Sequence, residues 1–105
     1  MKIYLCGPMS GLPDLNYPAF NAEADRLRAL GHEVINPAEL HPVTEEWKSA
    51  LRQDIAVMLD RRNNVDVLAY LPGWEDSDGA IMEIGIARRL GIVIVAAGGI
   101  YEEAL

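Results

Sequence analysis

The sequence has a single cysteine, Cys6, among its 105 residues. An internal disulfide is therefore impossible, and this cysteine usage favours a reducing compartment. Basic residues are also scarce, because nine Lys and Arg stand against sixteen Asp and Glu, for a net charge of −7. This balance argues against a nucleic acid polymer or an anionic membrane as the partner, although one small anion can still bind at a helix N-terminus.

Long hydrophobic runs are missing as well. No stretch approaches the roughly 20 apolar residues that span a bilayer. The amino-terminal apolar run is interrupted by Pro8 and Gly11 before it could serve as a signal peptide. Half of the residues are hydrophobic, which is ordinary for a globular chain. The sequence therefore predicts one cytoplasmic domain over residues 1–105, with no membrane partner.

Strand and helix signals alternate along the chain. Short β-prone apolar runs cover residues 2–6, 32–35, 65–71 and 92–96. Segments with apolar residues at helical spacing lie at about 16–30, 44–60 and 79–90. Asn16 and Thr44 are expected to cap the first two helices, and the run IVIVA at 92–96 is typical of a strand covered on both faces. The alternation predicts an α/β fold: a three-layer, flavodoxin- or Rossmann-like parallel sheet of four to five strands with helices on both faces.

Ligands of such sheets bind at the carboxyl ends of the strands. The loops expected there cover residues 7–15, 36–43 and 72–78. The candidates for holding a phosphate or hydroxyl are small residues in the first loop and at the start of the third helix, namely Gly7, Ser10, Ser77, Asp78 and Gly79. The first loop is not a P-loop, and simple turn and cap chemistry is an equally good explanation of both groups.

Glu83 is the most informative residue of the sequence. It lies in the segment GAIMEIGIA at 79–87, a helix that is apolar almost all round and is therefore expected to be buried. No cation stands three or four residues away to pair with it. A buried, unpaired carboxylate costs several kcal/mol unless something offsets that cost. The alternatives are a Glu that points to solvent or one paired with an Arg from another element.

The apolar stripe of the second helix consists of Trp47, Leu51, Ile55 and Met58, which are expected to face the core. Asp54 poses the same question as Glu83, because it falls on this stripe between Leu51, Ile55 and Met58. Two carboxylates in one dry cleft push their pKa values apart, so that one gives a proton while the other attacks. Tyr4, in the first strand, would orient a carboxylate through its hydroxyl. Taken alone, Tyr4 is better explained by core packing, and Asp54 by a hydrogen bond to a neighbouring loop.

Trp74 and the acidic residues around it allow two interpretations. Trp74 would stack on a nucleobase or merely pack in the core. Glu75, Asp76 and Asp78 form either a cation site or a solvated acidic turn. His32 and His41 have no partners at metal-ligand spacing. A reaction in which one carboxylate attacks and the other gives a proton needs no metal or redox cofactor, so none is expected.

Three motifs together resemble the nucleoside 2-deoxyribosyltransferase superfamily, in particular a small branch found in phage and bacterial genomes. The motifs are IYLCGPMSG at 3–11, RQD at 52–54 and SDGAIMEIGIA at 77–87. The resemblance implies that Glu83 is the nucleophile, that Asp54 assists departure or return of the base, and that Tyr4 positions the nucleophile. It also implies a homo-oligomer, because members of the superfamily share sites between subunits.

Ser77 bears on the substrate, since it lies six residues before Glu83. The nucleotide-hydrolysing branch has a Ser there that touches the 5′-phosphate, whereas the transferases have an Asp that holds a deoxyribose hydroxyl. The hydrolysing branch also has an Arg where this chain has Ser10, and a Ser where it has Pro8.

Two functions therefore follow from the resemblance. The first is cleavage or transfer of the N-glycosidic bond of a nucleoside or nucleoside 5′-monophosphate through a carboxylate nucleophile. The second is a non-catalytic nucleotide-binding or sensor module on the same fold. A third, independent reading is an acidic protein whose loop 74–78 contacts a partner or a metal ion.

Overall fold

The computed structural model describes residues 1–41 and 46–104. Its strands are β1 (Lys2–Cys6), β2 (Glu33–Ile35), β3 (Val67–Tyr70) and β4 (Val93–Ala96). Its helices are α1 (Tyr17–Ala29), α2 (Trp47–Leu59) and α3 (Asp78–Arg89). None of the helices in the described ranges is sufficiently long and apolar to pass through a bilayer.

The four strands form one parallel sheet in the order β2-β1-β3-β4. The predicted α/β fold, with four parallel strands and helices on both faces, is confirmed. The chain winds outward from β1 to β2 and then crosses to β3 on the other side. The resulting switch point lies between β1 and β3, where a crevice opens at the carboxyl ends of the two strands. The loops that follow β1 and β3 therefore border one shared space.

The core is divided into two layers by the sheet. Alternate residues of β1 point to opposite faces, so that Ile3 and Leu5 pack with α1, while Tyr4 and Cys6 pack toward α2 and α3. The α1 layer contains Phe20, Ala24 and Leu27. The opposite layer contains Met58 of α2 and Ala80, Ile84 and Ala87 of α3. Tyr4 is thus aimed at the helix that carries Glu83.

The start of α1 corrects one expectation from the sequence. The helix begins at Tyr17 as predicted, but Asn16 does not cap it with its side chain. Asn16 has a left-handed backbone with φ of 60°, and its Nδ2 donates a hydrogen bond to the Pro8 carbonyl at 3.0 Å. The amide is therefore used to tie down the loop after β1. Thr44, the expected cap of α2, lies outside the described residues.

The prediction that the last strand is covered on both faces is wrong. β4 is an edge strand, and Val93 is 56% exposed. Val93 is paired in register with Val67, whose side chain belongs to the α1 layer. Because α1 packs against β2 at the other end of the sheet, it leaves Val93 uncovered.

Candidate active site

Tyr4 and Glu83 make direct contact inside the protein. Tyr4 is completely buried in β1, and its hydroxyl donates a hydrogen bond to Oε2 of Glu83. Glu83 is only 6% exposed and lies on the inner face of α3. Oε1 of Glu83 is 3.9 Å from the Cys6 thiol. Among the residues that the structure describes, the partners of this carboxylate are a hydroxyl and a thiol rather than a Lys or Arg. This disfavours both the solvent-facing and the Arg-paired interpretation.

The surroundings of Glu83 control its proton. Burial raises its pKa from 4.5 to about 8, the hydrogen bond from Tyr4 opposes this rise, and the charge of Asp54 adds to it. Burial also raises the pKa of the Cys6 thiol far above its ordinary value, as does the charge of Glu83. Glu83 is consequently protonated in most molecules near neutral pH, and its reactive anionic form increases as the pH approaches 8. Cys6 is a neutral core residue.

Asp54 forms a buried pair with His41. The two residues are 7% and 6% exposed, and His41 Nε2 lies 2.5 Å from Asp54 Oδ1. The backbone of His41 is tied to α1, because its carbonyl accepts a hydrogen bond from the Tyr17 hydroxyl at 3.3 Å. The pair can hold or pass a proton beside Glu83. His41 was not predicted from the sequence, since its loop gives no periodic signal that would point it toward α2.

A cleft joins these groups to the surface. The space inside it that a water-sized sphere can occupy is about 50 Å³, below the ~300–1,000 Å³ of pockets that enclose a whole small molecule, so the cleft is a shallow site that holds only part of a ligand. The residues that line it come from the loop after β1, from α2 and from α3; they are Gly7, Met9, Ser10, Trp47, Ala50, Leu51, Asp54, Ser77, Gly79, Ala80 and Glu83. The two carboxylates and the serines of this lining were all singled out from the sequence.

Trp47 is an aromatic wall of the cleft that sequence analysis did not assign to the site. It was expected to share a core stripe with Leu51, Ile55 and Met58, yet it is 44% exposed. The apolar residues of α2 do lie on one side of the helix. Met58, near the end of the helix, packs against the sheet, whereas Trp47 and Leu51, nearer its start, line the cleft. Trp47 precedes Asp54 by seven residues, a spacing that places both on one side of a helix. That spacing is the signal that could have identified it.

Trp74 and Asp78 lie outside this cleft. The ring of Trp74 packs on Tyr70, with centroids 5.5 Å apart and planes at 58°. Asp78 is exposed and borders a neighbouring depression together with Ser10, Trp47 and Ser77. The structure therefore brings seven of the nine predicted site residues to the cleft or its floor, and leaves Trp74 in the core and Asp78 at the rim.

The amino-terminal end of α3 provides polar groups at the cleft. The Ser77 Oγ accepts a hydrogen bond from the Ala80 backbone N–H at 3.2 Å, so Ser77 caps the helix and keeps its own proton available to a ligand. A Cβ placed on Gly79 would lie 3.6 Å from Leu51 and 3.7 Å from Trp47, in ordinary contact but inside the cleft. A Cβ on Gly7 would lie 2.9 Å from the Leu71 Cβ, so packing requires that glycine.

The acidic residues before α3, Glu75 and Asp76, are exposed, and so is Asp78 at the first position of the helix. Within residues 1–41 and 46–104, no group of three or more His, Cys, Asp and Glu side chains is arranged to hold a metal ion.

The chain belongs to the family described as a domain of unknown function, DUF4406, whose model matches residues 1–96. Comparison with the curated proteins and with the solved structures finds no match.

Proposed function

We propose that this domain cleaves or transfers the N-glycosidic bond of a nucleoside or nucleoside 5′-monophosphate, with Glu83 as its nucleophile. The observation that carries the proposal is the buried contact between Tyr4 and Glu83, beside Asp54, at the floor of an open cleft. The resemblance to the nucleoside 2-deoxyribosyltransferase superfamily assigns the same three residues to the reaction and supports the proposal.

The electrostatics of the site suit a reaction that develops positive charge. The carboxylate of Glu83 is buried against a hydroxyl and a thiol, so its ionised form costs free energy in the folded protein. Cleavage of an N-glycosidic bond builds oxocarbenium character at C1′, and an anion directly beneath C1′ stabilises that charge. The ligand thus supplies the opposite charge that Glu83 lacks in the fold.

The first step forms a sugar–enzyme ester. A carboxylate oxygen of Glu83 attacks C1′ while the bond between C1′ and the base nitrogen breaks, and that bonding pair leaves with the base. The proton that neutralises the departing base is the one that the hydrogen-bonded pair of Asp54 and His41 holds, and Asp54 passes it to the base. The hydrogen bond from Tyr4 holds Glu83 in place and favours its ionised form.

The second step releases the sugar. Either water or a second base attacks C1′, the ester bond breaks, and its electron pair returns to Glu83 as a carboxylate. The proton of the attacking group passes to Asp54, so the enzyme is restored. Water gives hydrolysis, and a second base gives transfer.

The upper part of the cleft supplies binding groups. Trp47 offers an aromatic face for the base. Ser10, Ser77 and the free N–H groups at the start of α3 offer donors for a sugar hydroxyl or a 5′-phosphate. The proposal includes the cytoplasmic location expected from the sequence, where such substrates occur.

Base release tests the proposal directly. Purified protein is incubated with a panel of nucleosides and 5′-monophosphates, with and without a second free base, and the products are separated by chromatography. We expect one class of substrate to release base, and Glu83→Gln to abolish release while the protein stays folded. Glu75→Gln, which removes a carboxylate from an exposed position, should retain activity. Tight binding by calorimetry with no base released would instead assign a nucleotide-binding module.

A further inference from the structure

The outer face of α3 carries a seam of four residues that the cleft does not use. Asp78, Met82, Gly85 and Arg89 follow the 4-3-4 spacing of a coiled-coil seam and lie along one side of the helix. Met82 and the neighbouring Ile81 are each 47% exposed, and Asp78 and Arg89 are also exposed. The seam is therefore apolar in its centre and oppositely charged at its ends.

Gly85 is unexplained by the packing of the chain. Its backbone is helical, and an added Cβ would meet no atom of residues 1–41 and 46–104 within 4 Å. Glycine in a helix interior is less favourable than alanine, so a glycine at an open position has a cost and no internal benefit. A glycine on a helix surface does allow another backbone to approach closely.

We propose that the outer face of α3 pairs with the same face of a second copy of the chain, antiparallel and about a two-fold axis. In this register the Met82 side chain of each copy occupies the space next to Gly85 of the other copy, where Gly85 has no side chain. Asp78 of each copy lies opposite Arg89 of the other. An isologous contact of this kind is self-complementary, as two-fold symmetry requires.

The charges select the antiparallel arrangement. A parallel pairing would stack Asp78 on Asp78 and Arg89 on Arg89, whereas the antiparallel pairing makes two attractive pairs. It also aligns the amino-terminal end of each helix, where partial positive charge collects, with the carboxyl-terminal end of the other. The second copy is thus the occupant whose chemistry matches the face.

The size of the face sets the strength of association. A helix of 12 residues is about 18 Å long, and one face of it buries less than the ~800 Å² per partner of a standard stable interface. The dimer should therefore dissociate on dilution. Glu83 lies on the opposite, inner side of α3, so pairing and chemistry are separate, and the proposal does not depend on the proposed function.

Sedimentation velocity over a wide concentration range tests the pairing. Wild-type protein is expected to shift from monomer to dimer as its concentration rises. Asp78→Arg and Arg89→Glu should each weaken dimerisation at least tenfold, because each places like charges at both ends of the seam. An equimolar mixture of these two variants should dimerise again, since both end pairs are attractive in the mixed dimer.

The controls separate folding from pairing. Arg61→Glu makes the same change of charge at an exposed position away from α3 and should leave dimerisation unchanged. Thermal melts by circular dichroism confirm that each variant is folded. A wild-type protein that stays monomeric at the highest concentration overturns the proposal. A dimer that persists in both single variants, or a mixture that does not recover, overturns it as well.

Discussion

Replacing Glu83 by Gln should stabilise the protein, and increasingly so as the pH rises. The amide has nearly the same shape and can still accept the hydrogen bond from Tyr4, but it carries no charge into the interior. In the folded wild type, burial raises the pKa of Glu83 to about 8, against 4.5 for an ordinary Glu. The folded chain therefore holds this proton more tightly than the unfolded chain, and wild-type stability falls as the pH rises from about 4.5 through about 8.

The size of the effect follows from the two pKa values of Glu83. Each unit of pKa difference corresponds to about 1.4 kcal/mol, so the ionised carboxylate costs up to roughly 5 kcal/mol above pH 8. Between about pH 5.5 and about pH 9, linkage predicts that the stability advantage of Glu83→Gln over wild type grows by about 3 kcal/mol. For a domain of 105 residues, this corresponds to about 12 °C in melting temperature.

Urea unfolding of both proteins across that pH range measures the difference, and groups common to both cancel. Glu75→Gln is the matched control, because it loses the same carboxylate from an exposed position. An advantage of Glu83→Gln that is constant with pH, or that shrinks as the pH rises, would falsify the assignment of Glu83 as a buried carboxyl group with a raised pKa. A stabilised variant that also releases no base would link the stability cost of the residue to its chemistry.

Four further substitutions test the site through activity. Tyr4→Phe removes the hydrogen bond that lowers the pKa of Glu83, so the rising limb of kcat/KM against pH should move to higher pH. Asp54→Asn removes the charge that raises the pKa of Glu83, so the rising limb of kcat/KM should move to lower pH. The loss of rate in this variant should be smaller for a nucleoside whose base is already cationic, because that base needs no proton from Asp54 in order to leave. Gly79→Ala should raise KM about tenfold by narrowing the cleft, while calorimetry shows unchanged or increased stability, because alanine favours the helix. Trp47→Ala should raise KM with a melting temperature within a few degrees of wild type, since the side chain is 44% exposed.

The parts of the site that the sequence predicts are those where a residue conflicts with its surroundings. Glu83 and Asp54 are recognisable because burying a carboxylate on an apolar helix face costs free energy, which a function can explain. Both residues are buried in the structure. The alternation of short strands and helices predicts the parallel sheet, because few other folds are compatible with that order of elements. In each case the local pattern carries the information.

The parts that the sequence does not predict depend on how elements meet. His41 joins the site through the contact of its ring with Asp54 of α2, and the sequence around His41 has no periodicity that would reveal this contact. Trp47 looks like a core residue because the stripe of α2 is continuous, whereas the cleft begins partway along the helix. Val93 is exposed because β4 lies at the edge, and strand order is a property of the whole chain.

The instability of ionised Glu83 and the proposed reaction have one physical origin. Burial removes hydration from the Glu83 carboxylate, and the charge of Asp54 makes ionisation still less favourable. A positive charge that develops at C1′ would remove that penalty at the moment of bond cleavage, so the stabilisation is greater in the transition state than in the ground state. Tyr4 limits the penalty and keeps part of the population ionised near neutral pH. An exposed Glu, already stabilised by water, would gain far less from the same substrate.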